Sequence, residues 1–403
     1  MTVAEHIDPA TGLASGRTPH DGPLRVDGLL PLGLDGVLVL TGPRPGGPAR
    51  PYGSAGPSSL SGVRLGGGTA RWHRAAAEKL DGHPLVQARG SALWSRPAGP
   101  SPDGPCAASV ALPVQDRAAG EWHTVATYPG LDLAEHLVIG PDGGVRDWRP
   151  FALDGAPLMQ AVALTERFVV VFDLPVTYRR AAAMVGAASP YRWQRDRPAR
   201  IGLLPRHGGG EPQWFPIAPC FVSHAVNAYD DGGSVVVDAV RHDRAFDAST
   251  RDRDGATGSP RVHRWTLDIA GGTARERELT GPLDLASADP RRTGLRHQLI
   301  FGRDPGGRAL IGHDLAAEST QVRELGPGWR AGRPVFVPRG VAEGDGWIVA
   351  LATNAALGMS ELLVLDAMNL AGRPQAVVHL PVIPPAAQHT TWVPASTGHA
   401  RHR

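Results

Sequence analysis

One histidine of this chain occupies a setting in which an imidazole could do chemistry. His224 lies in the apolar run 218–229 (APCFVSHAVNAY) and is followed by Asn227 and Tyr229. Imidazole is a common ligand for iron and other transition metals, and it can also act as an acid or base near neutral pH. The alternative is that His224 is a core histidine whose ring nitrogens are hydrogen-bonded within the protein.

Other apparent motifs lack residues that their chemistry requires. The run 207–210 (HGGG) resembles the oxyanion loop of lipases, but the chain has no GxSxG nucleophile motif. The run 252–255 (DRDG) resembles the start of a calcium loop, yet the later ligands and the closing glutamate are absent. Cys106 and Cys220 cannot build a disulfide framework or a CxxC metal pair, and we expect Cys220 to be a buried free thiol.

Composition excludes several classes of protein. The formal net charge is +2 with acidic and basic residues interspersed, which argues against nucleic-acid binding. No apolar run reaches the ~18 residues of a membrane span, and the first eight residues show no apolar segment typical of a secretory signal. We therefore expect a cytoplasmic protein without a transmembrane segment, and peripheral contact with a membrane is left open.

The elements that must position these residues are short strands. Apolar and β-branched runs alternate with turns rich in Gly and Asp, such as 142–144, 230–233 and 344–346. The clearest strands are predicted at 37–40, 168–172, 234–237, 347–351 and 362–365. Only 75–78 and 179–184 have local helical character. The pattern predicts an all-β single domain, and without strong sequence repeats it does not distinguish a sandwich, a barrel and a propeller.

The segment 218–229 around His224 and several other segments resemble the carotenoid cleavage oxygenase family. The run around His224 is similar to the family's third iron-ligand motif. Further similar segments follow in the family's order at 24–36 (LRVDGLLPLGLDG), 41–45 (TGPRP), 63–74 (VRLGGGTARWHR), 163–175 (ALTERFVVVFDLP), 190–193 (PYRW), 201–206 (IGLLPR), 263–268 (HRWTLD), 334–339 (PVFVPR) and 360–367 (SELLVLDA). The bacterial lignostilbene-type members are the most similar in pattern.

The resemblance implies a seven-bladed β-propeller with a dome of loops and helices over one face. It assigns residues 1–21 to an N-terminal extension, 22–395 to the propeller and 396–403 to a disordered tail. It also implies four histidines, from four blades, that bind one Fe(II) on the propeller axis and leave two positions open for dioxygen and an alkene.

Only two of those four ligand positions hold histidine here. His224 keeps the imidazole, and so does His389 in the run 380–394 (LPVIPPAAQHTTWVP). Both could also be histidines retained as core residues. The run 158–165 (LMQAVALT) aligns with the family's MHDFAIT-like run and places Gln160 at a ligand position. The run 111–121 (ALPVQDRAAGE) aligns with its AHPxxDPxTGE run and places Leu112 at another. Leucine cannot ligate a metal, and the amide oxygen of glutamine is a weak neutral donor.

The carboxylates that the resemblance predicts next to the ligand histidines are also altered or missing. A metal-bound histidine usually donates its second N–H to a carboxylate, and the family uses three glutamates for this purpose. Here Arg333 replaces one of them, Asp284 is a shorter carboxylate at the second position, and no glutamate occurs near 93–105. Arginine has no acceptor atom, and it places a cation beside a cation. Losing two such partners costs about 3–5 kcal/mol of iron binding if the effects add.

Three hypotheses follow from the resemblance. The first is an Fe(II) dioxygenase that cleaves a C=C bond of an apocarotenoid or stilbene, with iron held by His224, His389 and a further group such as Asp284. The second is a metal-independent enzyme in which His224 and His389 act as acid–base residues and Gln160 donates a hydrogen bond. The third is a binding protein for an apolar polyene or terpenoid. We favour the second and third, and we expect no cofactor.

Overall fold

The computed structural model describes residues 23–43, 58–74, 86–89, 92–95, 109–128, 132–140, 144–184, 191–246, 256–381 and 389–395. Almost all regular structure in these ranges is β-strand. The α-helix described there is α1 (Arg180–Met184), which the sequence predicted, and two short 3₁₀ helices span Pro290–Arg292 and Ala367–Asn369. The helix predicted at 75–78 lies outside the described residues, as do the terminal segments 1–22 and 396–403.

Antiparallel sheets follow one another along the chain as the blades of a propeller. The strands, numbered in chain order, are grouped below by blade.

Blade 1 contains β2 (Gly36–Pro43), β3 (Ser58–Gly66), β4 (Thr69–Arg74) and β33 (His389–Pro394). The hairpin of β5 (Val86–Arg89) and β6 (Ala92–Ser95) lies beside β2 and β33 and represents blade 2. Blade 3 contains β7 (Ser109–Val110), β8 (Val114–Asp116), β9 (Glu121–Thr127), β10 (Leu133–Ile139) and β11 (Val145–Ala152).

Blade 4 contains β12 (Val162–Leu164), β13 (Phe168–Asp173), β16 (Ala199–Pro205) and β17 (Gln213–Ile217), and carries the hairpin β14 (Val176–Tyr178) and β15 (Tyr191–Trp193). Blade 5 contains β18 (Phe221–Asp231), β19 (Ser234–His242), β22 (Arg261–Asp268) and β23 (Thr273–Pro282), and carries β20 (Arg244–Ala245) and β21 (Ala256–Thr257).

Blade 6 contains β24 (Asp284–Ser287), β25 (Leu299–Arg303), β26 (Ala309–Asp314) and β27 (Ser319–Glu324). Blade 7 contains β28 (Arg330–Ala331), β29 (Val335–Pro338), β30 (Gly346–Asn354), β31 (Met359–Asp366), β32 (Ala376–Leu380) and β1 (Val26–Gly28). The five strands predicted from the sequence lie within β2, β13, β19, β30 and β31 and are confirmed.

The first strands of the blades surround a common axis. Neighbouring first strands lie side by side, as β8 with β12, β12 with β18, β18 with β24 and β29 with β33. The ring is closed twice: β33 pairs with β2 on the inner side of blade 1, and β1 pairs with β32 on the outer side of blade 7. A side chain on a first strand is therefore held close to the axis by its own blade and by two neighbours.

The two ends of the propeller carry different connections. In each antiparallel blade the connections from first to second and from third to fourth strand emerge at one end, here called the lower end. The connections from second to third strand emerge at the upper end, where blade 4 carries β14, α1 and β15 and blade 5 carries β20 and β21. These two insertions are joined by a hydrogen bond from Trp193 N to Phe246 O of 3.2 Å, and they form part of the dome.

The core consists of apolar layers between neighbouring blades. Between blades 4 and 5, Phe172, Ile201 and Phe215 pack with Val237 and Trp265, and all five are fully or almost fully buried. Each such side chain stabilises the fold by about 1.5–3 kcal/mol relative to an exposed one. These layers fix the positions of the first strands on which the predicted site residues lie.

Candidate functional site

All six sequence-predicted site residues belong to first strands or to the segments that lead into them. Leu112 lies between β7 and β8, Gln160 precedes β12, His224 lies in β18, Asp284 begins β24, Arg333 precedes β29 and His389 begins β33. The backbone of His389 pairs with Thr41 of β2, but its side chain lies outside the described part of the chain. The six positions therefore come from six different blades around the axis.

Leu112 and Gln160 are direct neighbours. The Leu112 N–H donates to the Gln160 carbonyl oxygen at 3.0 Å, and this bond ties the first strands of blades 3 and 4 together. Both residues are half-buried. Within the described residues the buried Oε1 of Gln160 has no hydrogen-bond donor. An isobutyl group and a neutral amide thus stand together where the resemblance predicts two imidazoles.

His224 is the deepest of the described site residues, with 3% exposure. The pairing of β18 with β19 shifts register between Val222 and His224 and again between Ala225 and Asn227. Such β-bulges change the direction of the side chains beside them and are frequent at functional sites. His224 and Ala225 therefore form a two-residue paired segment between two irregularities, which set its direction locally.

Aromatic side chains pack at the upper end of β18. Phe221 contacts Phe246 with ring centroids 5.8 Å apart, and Phe246 lies 6.3 Å from Tyr191, which in turn lies 5.7 Å from Tyr178. This aromatic layer continues from the strand that carries His224 into the dome. The core beside His224 is therefore largely aromatic at this end of the strand.

The carboxylate of Asp284 is held by an arginine. Arg303 Nη2 lies 3.2 Å from Asp284 Oδ2, and the Leu285 N–H donates to Asp284 Oδ1 at 2.8 Å. Arg303 also donates from Nη1 to the Ala331 carbonyl at 2.6 Å. The pair thus joins blade 6 to blade 7, and both carboxylate oxygens of Asp284 have donors within the protein.

Two of the four ligand positions that the resemblance assigns hold side chains other than imidazole. Among the residues that the structure describes, no three His, Cys, Asp or Glu side chains are grouped closely enough to hold a metal ion. Leu112 and Gln160 offer one weak donor between them, and the half-buried Arg333 offers only donors and a positive charge. These side chains differ in chemistry from the imidazoles and carboxylates that the resemblance leads one to expect.

A polar network beside His224 was not predicted from the sequence. Asn227 Nδ2 donates to the carbonyls of Arg292 and Leu295, both at 2.8 Å, and Asn227 Oδ1 accepts from Gly294 N at 3.2 Å. Its Nδ2 is also 3.2 Å from His297 Nδ1. Asn227 is visible in the sequence three residues after His224, but its partners lie more than 60 residues away and no local pattern indicates them.

His297 belongs to a buried charged cluster. Its Nε2 lies 3.3 Å from Asp238 Oδ2, and Arg264 donates to both oxygens of the same carboxylate at 2.7 and 2.6 Å. The side chains of His297 and Asp238 have no exposed surface. Burial lowers the pKa of His297, so the imidazole stays neutral, while Asp238 raises the pKa of Arg264 against the effect of burial.

A pair of histidines in blade 3, also not predicted, lies on its second and third strands, away from the first strands. His123 Nδ1 is 2.9 Å from His136 Nε2, the two rings stack with centroids 5.1 Å apart, and both residues are buried. Burial lowers the pKa of His123 to about 4 and that of His136 to about 3, and the nearby Arg149 and Arg206 add to the effect.

Cys220 is a buried free thiol, as predicted. Burial raises the pKa of this thiol to about 12, which keeps it unreactive.

An open groove of about 640 Å³ lies at the outer rim between blades 3 and 4, lined by residues such as Asp132, Glu211 and Trp214. None of the six predicted site residues lines this groove. No helix among the described residues is long and apolar enough to cross a membrane.

Comparison with known sequences places this architecture in a family. Residues 81–394 match the family model described as retinal pigment epithelial membrane protein. A carotenoid cleavage oxygenase of Mycobacterium tuberculosis (strain H37Rv) is 29% identical over 484 aligned positions, which cover 93% of this chain and 94% of the relative. A lignostilbene-alpha,beta-dioxygenase isozyme III of Sphingomonas paucimobilis is 30% identical over 293 positions, covering 65% of this chain and 59% of the relative.

The alignment with the Mycobacterium tuberculosis relative contains positions that have no residue in this chain. The 484 aligned positions exceed its 403 residues by 81, so at least 81 positions of the alignment have no residue here. The crystal structure of the Pseudomonas brassicacearum lignostilbene dioxygenase superimposes with a TM-score of 0.77, at 21% identity, over 98% of this chain and 100% of that one. The seven-bladed β-propeller fold predicted from the resemblance is confirmed.

The family model matches more than half of the length of this chain. This chain therefore belongs to the carotenoid cleavage oxygenase family.

Proposed function

We propose that this protein takes an apolar polyene, apocarotenoid, terpenoid or stilbene-like small molecule at its axis and acts on it, or holds it, without the four-histidine Fe(II) centre. The observation that carries the proposal is the pairing of Leu112 with Gln160. These two residues occupy predicted ligand positions in adjacent blades, and a backbone hydrogen bond of 3.0 Å holds them together. Neither can replace an imidazole as an iron ligand.

The state of Asp284 supports the same reading. Binding of iron by two histidines and one carboxylate would need a carboxylate that is free to face the metal. Asp284 is the one candidate that the sequence offers, and its two oxygens are taken by Arg303 and by the Leu285 N–H. Recruiting it would leave the half-buried guanidinium of Arg303 without its carboxylate, which is costly. This observation weighs against the iron-dependent dioxygenase alternative.

The proposed class of ligand follows from the surroundings of the axis and from the relatives. Leu112 is apolar, and an aromatic layer from Phe221 to Tyr178 adjoins the strand that carries His224. Apolar and aromatic surroundings of this kind suit extended unsaturated molecules. The relatives reported above are named for carotenoids and for lignostilbene. An apolar ligand also needs no metal for binding, since burial of its surface supplies the free energy.

The remaining polar residues can serve a metal-free reaction or simple binding. Neutral imidazoles of His224 and His389 can accept or donate a proton, and the Gln160 amide can hydrogen-bond a polar substituent of the ligand. Isomerisation, cyclisation and hydration are the reactions that such groups support. A binding protein would use the same groups for orientation alone.

The first experiment measures iron. Wild-type protein is loaded with Fe(II) under anaerobic conditions, desalted and analysed for iron per chain, beside a His224→Ala, His389→Ala double variant. We expect wild-type protein to retain no more iron than this variant. A Leu112→His, Gln160→His double variant is the positive comparison, and we expect it to retain more iron than wild type. About one iron per wild-type chain, lost in the alanine variant, would restore the dioxygenase assignment.

The second experiment separates an enzyme from a binding protein. Apocarotenoids and stilbenes are titrated in the presence of a chelator, with binding followed by quenching of tryptophan fluorescence and products followed by chromatography. New products that form in chelator and disappear in His224→Gln indicate a metal-free enzyme. Saturable binding without products indicates a binding protein, and the absence of both contradicts the proposed function.

A further inference from the structure

One loop of blade 6 is bonded to three other blades at the lower end of the propeller. Residues 288–298, here called the crossing loop, connect β24 to β25. Its Gly294 forms parallel β-bridges both with Thr165 in blade 4 and with Tyr229 in blade 5. On the opposite side, Arg291 donates to the carbonyls of Gly340 and Ala342 in blade 7. The crossing loop therefore lies over the lower ends of several first strands and is anchored on both sides.

The anchors of the crossing loop are mostly buried and charged. Asp289 is 2% exposed, caps the 3₁₀ helix through Arg291 N at 2.9 Å, and forms an ion pair with the Arg291 side chain. Glu343 accepts from Gln298 N and Leu299 N at 2.7 and 2.9 Å. His297 adds the contact with Asp238 described above. Buried groups of this kind are costly to separate, so the crossing loop is a rigid support.

Asn227 connects this support to the strand that carries His224. Its amide makes two donor bonds and one acceptor bond with the loop backbone, at Arg292, Leu295 and Gly294, and touches His297 as a fourth contact. A buried primary amide has two donor hydrogens and one acceptor oxygen, so nearly its whole bonding capacity is spent on the loop. Asn227 is 6% exposed, and water cannot take over these bonds.

We propose that Asn227 is a positioning residue for His224. The second register shift of β18 falls between Ala225 and Asn227, so the bulged segment begins at His224 and ends at the residue that the crossing loop holds. A bulge by itself can relax by slipping one residue, and such a slip would turn every following side chain to the other face. The Asn227 bonds prevent this slip, and they thereby set the direction of the His224 imidazole.

Asn227 would orient a histidine of the same axial site, so its importance for function rests on the proposed function. The orientation of the His224 imidazole itself does not depend on whether iron or an organic ligand binds. The test therefore reads the imidazole itself.

The experiment uses full-length protein labelled with ¹⁵N-histidine. The ring ¹⁵N and ¹H resonances of His224 are assigned by their loss in His224→Gln, and their shifts and titration are followed by NMR. The test variants are Asn227→Ala, which removes all the loop bonds, and Asn227→Asp, which keeps the acceptor for Gly294 N but loses both donors. The matched control is Asn354→Ala in blade 7, another buried asparagine that binds a loop, through Pro327 O and Leu357 N.

We expect both Asn227 variants to shift the His224 ring resonances and the midpoint of their titration, whereas Asn354→Ala leaves them at the wild-type position even if its melting temperature falls as much. Should Asn227→Ala not fold, the Asp variant decides. Unchanged His224 resonances in the folded Asn227 variants, or an equal change in the Asn354 control, would overturn the proposal. A wild-type protein that binds no polyene would defeat the proposed function and leave this result standing.

Discussion

At the scale of single residues, the most consequential buried charge is Asp238. It lies directly opposite Arg264 on the next strand and binds that guanidinium through both oxygens. Asp238 has no exposed surface, so removing its carboxylate would leave Arg264 and its positive charge without compensation in the interior. Removing one partner of this pair is therefore expected to destabilise the protein strongly. This holds even if replacing both partners by apolar residues would change the stability little.

We predict that Asp238→Ala lowers the free energy of unfolding by about 3–5 kcal/mol. Urea denaturation followed by fluorescence measures this. The comparison is Glu278→Ala, which breaks the Arg261–Glu278 pair of 2.7 Å between side chains that are 42% and 43% exposed. For that surface pair we expect a loss of only about 0–1 kcal/mol. Equal losses in the two variants would contradict the burial argument.

The family resemblance predicts which residues form the site, but it does not predict what they touch. Leu112, Gln160 and Asp284 were picked out by resemblance alone, and the structure finds the first two hydrogen-bonded to each other. Arg303, the partner of Asp284, could not be predicted. The strand β24 is irregular, with Leu285 at a φ of +49° and a register shift after Asp284. Regular strand pairing does not give the partner of a residue beside such a shift.

At the scale of elements, the histidine pair of blade 3 shows how two strands set a protonation state. Arg149 Nη2 is 3.2 Å from His136 Nδ1. Because a guanidinium only donates, His136 Nδ1 must be the acceptor and His136 Nε2 must carry the hydrogen. His123 Nδ1 then accepts that hydrogen, and His123 carries its own on Nε2. Both rings are neutral, and the groups around them are Arg149, Arg206, Asp116 and His207.

We predict that this pair makes the protein less stable as the pH falls from about 6.5 toward 4. Burial lowers the pKa of His123 to about 4 in the folded chain, whereas an unfolded histidine titrates near 6.5. Between these values the unfolded chain binds more protons, so stability rises with pH across this window and is lost on acidification. One such histidine contributes on the order of 3 kcal/mol. Urea unfolding at several pH values between 7 and 4 measures the slope.

The variant that tests the origin of this slope is His123→Gln. Its amide oxygen can accept from His136 Nε2, but it cannot be protonated in this range. We expect a shallower decline in the free energy of unfolding on acidification than in wild type. His207→Gln, which changes an exposed imidazole of the same region, should keep the wild-type slope. If His123→Gln declines as steeply as wild type, the acid sensitivity has another source.

No sequence pattern indicates this pair, because its two histidines come from different strands. His123 and His136 are 13 residues apart on β9 and β10, and they meet diagonally, because His123 pairs with Val138 and His136 with Val125. Only the register of the two strands brings the rings together. The existence of both strands is readable from their apolar residues, whereas their register depends on the connection between them.

At the scale of the whole molecule, alternation of strands and turns predicted an all-β domain but not its shape. Blades of a propeller are often marked by a repeated motif, and this chain shows none that is strong. Its seven-bladed form was predicted from the family resemblance and is confirmed by the structural comparison. The described part of blade 2 consists of the hairpin β5–β6.

Ring closure sets the stability of the whole molecule, and the two closing strands contribute unequally. β33 pairs with β2 at six positions on the inner side of blade 1, whereas β1 pairs with β32 at three positions on an outer edge. Removal of residues 389–403 would expose the inner edge of β2, which carries the buried Leu38 and Leu40, and would open the ring. Removal of residues 1–28 would leave every first strand in place.

We therefore predict that the chain without residues 389–403 loses its cooperative thermal transition, whereas the chain without residues 1–28 keeps it at a lower melting temperature. Far-UV circular dichroism gives the transitions, and size-exclusion chromatography distinguishes folded from aggregated chains. The inner strand matters more because its loss removes packing from blade 1 and blade 7 at once, and an open ring leaves the apolar layers on both sides without a partner. Equal melting temperatures for the two truncated chains would show that closure at the axis does not hold the propeller together.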